Sequence, residues 1–414
     1  MIKKSFYKGN RRRLFSEVKD ERCMILLSSG YEKNRSADES YEFQVNTNFY
    51  YLTGISQQKT YLVLLKNGAA TREVLYIDPY DELYAKWCGH RITAEEASAA
   101  SGVAKTDIRY TDRLEEDLPK FAKEYKTVYL DLERRDMTGY NSFGLTMEDR
   151  LRRKYAVKDI YPAIVTLRTA KQECEVEALK VAIEKTREGV EALMKNARPG
   201  MYEYQIEAHF DFAVKTGGNR PFSFRTIAAA GENATTLHYS ANNCVAKDGD
   251  LILFDLGCRE NGYCADITRT FPVNGKFSKM QRTIYNIVLD ANKTVASRAR
   301  AGMTVAELQE ICIQRLTEGC LAAGLIKTRD ELRNYYYHNV SHSIGLDTHD
   351  PCDRQKPLPV GTVISDEPGL YFPEHRIGIR IEDDLLLTEG GAINLSASIL
   401  KEADEIEAFM AKNR

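Results

Sequence analysis

Residues 249–271 read GDLILFDLGCRENGYCADITRTF, and no other stretch constrains the fold as strongly. Asn261-Gly262 lies between two apolar runs, and Asn-Gly is the strongest short-range signal for a tight hairpin turn. With those two residues at the turn, Glu260 faces Tyr263, Gly257 faces Asp266 and Asp255 faces Thr268. Directly opposed residues share a face of the sheet, as do residues two apart on one strand. Asp255 and Asp266 therefore form a diagonal pair. Such neighbours lie ~7–8 Å apart at the backbone, with their side chains closer. Aspartate is depleted in strands, and a carboxylate among Leu, Ile and Phe is costly to bury. Two on one face repel unless a proton or a cation sits between them.

A second carboxylate pair follows in VISDEPGLYFPEHRIGIRIEDDLLL, residues 363–387. Glu367 and Glu382 bracket a hairpin expected to turn near Pro373-Glu374. Its second strand alternates Gly378, Arg380 and Glu382 with Ile377, Ile379 and Ile381. The chain has seven histidines, and three of them, His338, His342 and His349, fall within HNVSHSIGLDTHD. The HxxxH spacing is not the zincin helix, because Asn339 stands where that motif has Glu. Ser341, Ser343 and Gly345 favour a loop or strand. On an extended backbone His338 and His342 share one face, and His349 takes the other unless the chain bends. Four carboxylates with one or two imidazoles make a hard, oxygen-rich site that suits Mn, Co or Zn better than Mg or Ca. Two bridging carboxylates flanked by a chelating one on each side describe two metals ~3.5–4 Å apart, as used in hydrolysis.

The same region repeats itself. ARPGM at 197–201 returns as ARAGM at 299–303, each after a long amphipathic helix. GDLILFDLG at 249–257 resembles GTVISDEPG at 361–369, which sets Asp255 onto Glu367. Two similar halves, each helix-helix-hairpin, imply a pseudo-twofold domain with its site at the seam.

The preceding residues have another texture. CMILLSS, TYLVLLK, EVLYID and TVYLDL read as strands, separated by helix-length segments at Thr93–Gly102 and Leu114–Tyr125. This is an α/β domain with a mixed, mostly buried sheet, without a Walker loop or GxGxxG. A strongly helical pattern from Lys171 to Asn196 follows, so the expected domains are 1–165 and 166–414. A chain of 414 residues holds two or three domains at roughly 100–200 residues each. Its net charge of −2 gives no global pull toward nucleic acid or membrane, and Arg11-Arg12-Arg13 reads as a solvated helix face. The N-terminus lacks the apolar core of a secretory signal. No run approaches the ~18 apolar residues of a spanning helix. Nine cysteines, an odd number without a CxxC pair, fit a reducing cytoplasm.

The order Asp255, Asp266, His342, Glu367, Glu382 resembles the metal ligands of the pita-bread metallopeptidases, which include aminopeptidase P, prolidase and methionine aminopeptidase. HNVSHSIGLDTHD, DEPGLYF and GIRIEDDLLLTEGG are most similar to aminopeptidase P and prolidase. RSADESYEFQVNTNFYYLTGI and AKWCGHRI resemble the N-terminal domain of aminopeptidase P. The resemblance implies a creatinase-like α/β domain joined to a pita-bread catalytic domain. It implies that Asp255 chelates one metal, that Asp266 and Glu382 bridge, and that His342 and Glu367 complete the second. Two divalent ions are expected, manganese favoured, with cobalt or zinc as alternatives. Glu367 can also shuttle a proton, His338 and His349 bind substrate and stabilise the oxyanion, His238 lines the pocket mouth, and Arg380 orients Glu382. Trp87, the only Trp, matches a residue that reaches a neighbouring subunit's active site, so a homodimer or larger homo-oligomer is expected. The implied reaction removes the N-terminal residue from peptides with proline second. A prolidase is the nearest rival, and an inactive creatinase-fold binding protein is a third reading, disfavoured by the complete ligand set. Asn339, where the family usually has Gly, and Asp366, where a small or apolar residue is common, depart from the pattern.

Overall fold

The four apolar runs of the first domain become the strands Arg22–Ser28, Tyr61–Asn67, Ala70–Ile77 and Thr127–Leu130. They belong to one six-stranded sheet in a computed structural model that describes residues 2–133, 142–219 and 222–413. Arg22–Ser28 is central, antiparallel to Tyr61–Asn67 on one side and parallel to Thr127–Leu130 on the other, so the sheet is mixed. The edges are Ile108–Tyr110 and Ala156–Asp159, both paired parallel.

The helices between these strands begin and end where local chemistry dictates. Thr93 and Glu96 close a reciprocal capping box on Ala94–Ser101, and Gly102 ends that helix at φ 74°, a conformation glycine adopts at little cost. Leu114–Tyr125 buries Leu114, Leu118 and Ala122, one stripe at i, i+4, i+8. The arginine run departs from expectation. Arg11 is fully buried, donating to the carbonyls of Leu52 and Ser101 and to Glu73. Three oxygens take up the two terminal nitrogens of the guanidinium, which an apolar helix face alone could not hold.

The chain forms two compact units, Met1–Leu167 and Arg168–Arg414. The second is the repeat made visible. Helices Glu173–Asn196 and Lys279–Arg298 each lead, through a glycine at φ 88° (Gly200 and Gly302), into a second helix, Glu203–Thr216 or Val305–Ala322. The same two backbone bonds recur at each crossing. Gly200 N–H donates to Ala246 O and Ala246 N–H to Met201 O. Gly302 N–H donates to Leu358 O and Leu358 N–H to Met303 O. Strands Leu251–Leu256 and Val363–Asp366 follow in the two halves, each behind a positive-φ glycine, Gly249 or Gly361; Leu251–Leu256 also pairs with the earlier strand Ile227–Ala230. Helices and strands of both halves share one apolar core, from Ile183 and Phe210 to Val288, Leu316 and Ile379.

The halves differ in their hairpins. Leu251–Leu256 pairs continuously with Ile267–Pro272, in the register expected, with Asp255 opposite Thr268 and Glu260 opposite Tyr263. In the second half Gly369–Phe372 pairs with Ile377–Arg380, with Pro373–His375 at the turn. Val363–Asp366 pairs instead with Asp383–Thr388. Glu367 and Glu382 therefore bracket the hairpin without lying in a strand: each sits at the junction between two ladders. Pro368 explains the first break, since it lacks the N–H a ladder needs. Glu382 explains the second by donating its own N–H to Thr268 O across the seam, at 3.1 Å.

Candidate active site

Each candidate ligand is presented by backbone that its sequence makes rigid. Asp255 is near the end of the Leu251–Leu256 strand, and Asp266 immediately precedes Ile267–Pro272. His342 lies outside regular structure but is zipped to the Val363–Asp366 edge. Its carbonyl accepts from Ser365 N–H at 2.9 Å, and its own N–H donates to Ser365 Oγ at 2.9 Å. Glu367 N–H donates to Val340 O.

These elements converge on His342. Its Nε2 lies 3.3 Å from Asp266 Oδ2, 3.5 Å from Glu367 Oε1 and 4.0 Å from Glu382 Oε1. Its Nδ1 is 3.1 Å from Ser343 O. A carbonyl can only accept, so Nδ1 donates to it, and Nε2 is the ring atom that faces three carboxylate oxygens. Carboxylates gathered this closely need a proton or a cation among them. One ligand atom each from Asp266, His342 and Glu382 lies within 4.8 Å of the others. Asp255 Oδ1 is buried without a hydrogen-bond partner, a costly state for a carboxylate oxygen that a cation would relieve. The donor set fits divalent metal.

The electrostatics agree. Burial, then the charges of Asp255 and Asp384, push the Asp266 carboxyl well above its ordinary range. Burial, then Asp266 and Glu367, do the same to Glu382. Burial raises Glu367, opposed by His342 and Arg380. Arg380 is the one permanent cation among these groups. Burial works against its charge, but Tyr371, Asp255 and Glu382 hold the proton firmly. Its guanidinium donates to Asp255 Oδ2 at 2.5 Å, Thr268 Oγ1 at 3.1 Å and Tyr371 Oη at 3.1 Å. Thr268 Oγ1 in turn donates to Glu382 Oε2 at 2.7 Å. Arg380 thus acts on Glu382 through Thr268, while its direct carboxylate partner is Asp255.

His338 and His349 both reach this centre. His338 Nε2 is 2.9 Å from Tyr371 Oη and its Nδ1 is 3.9 Å from Glu367 Oε2. Burial, reinforced by Arg380, lowers its pKa to about 4, so the ring is neutral near pH 7. The ring centroids of His349 and His342 are 4.1 Å apart. An extended chain would have separated them. It bends instead, with Gly345 N–H donating to Asp347 O and Asp350 N–H to Ser343 O. His238 is exposed, and its charge is felt at His338. Trp87 belongs to the first unit and is 81% exposed there.

The structure adds groups that the sequence reading did not single out. Tyr371 joins His338 to Arg380, Thr268 joins Arg380 to Glu382, and Ser365 Oγ donates to Glu367 Oε1 at 3.2 Å. The signal for Thr268 was present, since the hairpin register places it opposite Asp255. Asp384 lies behind Asp266, accepting its N–H at 3.3 Å. Asp366 is buried, and its carboxylate accepts from Asn292 Nδ2. Within an acidic run, only the tertiary fold distinguishes these neighbours.

Comparison with known proteins agrees with this geometry. Residues 177–389 match metallopeptidase family M24, and residues 7–129 match the aminopeptidase P N-terminal domain. The chain is 34% identical to the Xaa-Pro aminopeptidase of Escherichia coli over 98% of its own length and 97% of that protein's. It is 30% identical to human Xaa-Pro aminopeptidase 3, over 95% and 81% of the two chains. The solved structure of E. coli aminopeptidase P with the inhibitor Pro-Leu superposes with a TM-score of 0.91 at 33% identity, covering 100% of this chain and 99% of that one. With both domains matched and the catalytic one spanning more than half of its length, the chain belongs to metallopeptidase family M24.

Proposed function

We propose that this protein is an Xaa-Pro aminopeptidase, a metal-dependent hydrolase that releases the N-terminal residue from peptides with proline second. The observation that carries the reading is His342 Nε2 turned toward carboxylates of Asp266, Glu367 and Glu382. Full-length similarity to Xaa-Pro aminopeptidases favours this activity over prolidase. A complete donor set favours catalysis over an inactive binding protein.

In this reading Asp255 would hold one metal, Asp266 and Glu382 would be shared by both, and His342 and Glu367 would complete the second. Manganese is favoured, with cobalt or zinc as alternatives. Bound there, two divalent ions would acidify water and polarise the scissile carbonyl. The chain's own residues do the rest. Glu367 takes a proton at its carboxylate and delivers it toward the leaving prolyl nitrogen. His349 donates an N–H to the oxygen that becomes negative. His338, neutral and tied to Tyr371, holds the substrate by hydrogen bonds rather than by charge. Arg380 holds Asp255 by a direct hydrogen bond, and through Thr268 it orients Glu382. His238 lines the entrance.

Proline selectivity has a physical basis. Proline fixes φ and lacks an amide N–H. A site shaped to its ring leaves the N–H of any other residue unpaired, at about 1–3 kcal/mol, or roughly 5–150-fold in rate. The test is kcat/KM for Ala-Pro, Ala-Pro-Ala and Ala-Ala-Ala with Mn(II). The tripeptide with proline should be cleaved well and Ala-Ala-Ala poorly. Cleavage of Ala-Pro alone would make the enzyme a prolidase, and equal rates on both tripeptides would remove proline selectivity.

Among the described residues no helix is long and apolar enough to cross a membrane. A cytoplasmic location rests on the cysteine content. A homodimer or larger assembly is supported by the exposed side chains of Tyr80, Leu83 and Trp87, which offer a second copy an aromatic surface.

A further inference from the structure

Residues 337–362 carry His338, His342 and His349, yet apart from one bridge between Ser343 and Ile364 they form no helix or strand. Backbone bonds to the Val363–Asp366 strand hold the part around His342. Ile344 N–H still donates to Val363 O at 2.9 Å; beyond it the chain turns away from that strand, and a cluster of charged side chains fixes it.

Asp350 is the centre of this cluster. Its Oδ1 accepts from Arg168 Nη2 at 2.6 Å and from Asp347 N–H at 3.1 Å, and its Oδ2 accepts from Lys171 Nζ at 3.1 Å. Arg168 Nη2 also donates to Asp347 Oδ2 at 2.9 Å. Lys171 Nζ also donates to Ser343 Oγ at 3.3 Å, and Lys171 N–H to Gly361 O at 2.8 Å. The side chains of Arg168, Lys171 and Asp350 are at most 2% exposed. The turn closes directly on the carboxylate: a Cβ on Gly345 would lie 2.6 Å from Asp350 Cγ.

None of these groups is a candidate metal ligand. Apolar side chains of similar volume would stabilise such a turn as well as buried ions do. Ions differ in being directional. Three donors from the 168–172 segment and the turn grip one carboxylate, and the residue before it is His349. We infer that Arg168, Lys171 and Asp350 are positioning residues that hold the His349 ring against His342, and that they affect the reaction through His349. The inference rests on the proposed role of His349.

The test uses Lys171→Met and Asp350→Asn in the full chain. Lys171→Met leaves Arg168 on Asp350 and so preserves the fold even if Asp350→Asn does not. With seven histidines, the His349 ring signal can be assigned in proton–carbon NMR by its loss in His349→Ala. It should shift or broaden in Lys171→Met while that of His238 stays in place, with and without Zn(II). Turnover on Ala-Pro-Ala should fall about 10- to 100-fold, as expected of a small misplacement, with KM and bound metal little changed. In the His349→Ala background the same substitution should have almost no further effect, because its route is already removed. An unmoved ring signal overturns the inference, as does an equal fold-loss in both backgrounds. If the wild-type protein cleaves no Xaa-Pro peptide, the proposed function fails, and the NMR comparison still decides whether the cluster positions the ring.

Discussion

His342 and Asp266 meet at 3.3 Å although they belong to opposite halves of the repeat, one zipped to the second half's strand and the other heading a strand of the first. On the proposed assignment Asp266 bridges two metals from this position. Elemental analysis of the purified protein should give about two divalent ions per chain. Asp266→Asn, near-isosteric but a weaker ligand, should lose both. A variant that kept two ions and full turnover would remove the bridging role.

His349 touches the His342 ring without carrying a carboxylate's charge. His349→Ala should lower kcat about 10²–10³-fold, the usual effect of deleting one donor to a developing oxyanion, while metal content stays near that of the wild type. Stoichiometric loss of metal would make His349 a ligand.

Gly257 should tolerate no side chain. A Cβ there would lie 1.9 Å from Ala265 O, in the backbone opposite it. No flexible group can yield, so the strands carrying Asp255 and Asp266 would be forced apart. Gly257→Ala should cost at least about 1–3 kcal/mol, as overpacked cores do, and weaken metal binding. Thermal denaturation with a metal titration measures both.

Acid should attack the seam behind the site. Burial would raise the Asp383 pKa, but Arg269 and Lys401 overcome it and hold the value at about 2, below the ordinary 3.8. The folded state thus binds fewer protons than the unfolded state between those values. The stabilisation is present above 3.8 and is lost as pH falls toward 2. Asp383→Asn should flatten this acid limb. It should also cost about 3–5 kcal/mol at neutral pH, because Arg269 stays buried without its counter-ion. Chemical denaturation between pH 7 and pH 2 tests both parts.

The first hairpin was legible because Asn261-Gly262 fixes a register, and register fixes which side chains share a face. The helix within Thr93–Gly102 was legible as a segment, and its ends prove to be local too, a capping box at Thr93 and a glycine at Gly102. What the sequence concealed was set by contacts distant along the chain. The position of His349 depends on a turn wrapped around Asp350, whose cationic partners lie about 180 residues earlier. Arg11 reads as surface until Leu52, Ser101 and Glu73 surround it. Glu382 continues the alternation of its strand on paper, but its backbone leaves the ladder to bond Thr268.

The crossing of Glu382 onto Thr268 has a consequence for biosynthesis. Asp255 and Asp266 emerge from the ribosome long before Glu382, with more than a quarter of the polypeptide still to be translated between them. Chains grow at roughly 5–20 residues per second and domains fold as they appear, so for several seconds the first half exists without its counterpart. On the proposed assignment a nascent or truncated molecule in that interval holds only Asp255 and Asp266 of the five metal ligands. On that assignment the site is completed only once Glu382 is made, so the order of residues along the chain would withhold activity from shorter products.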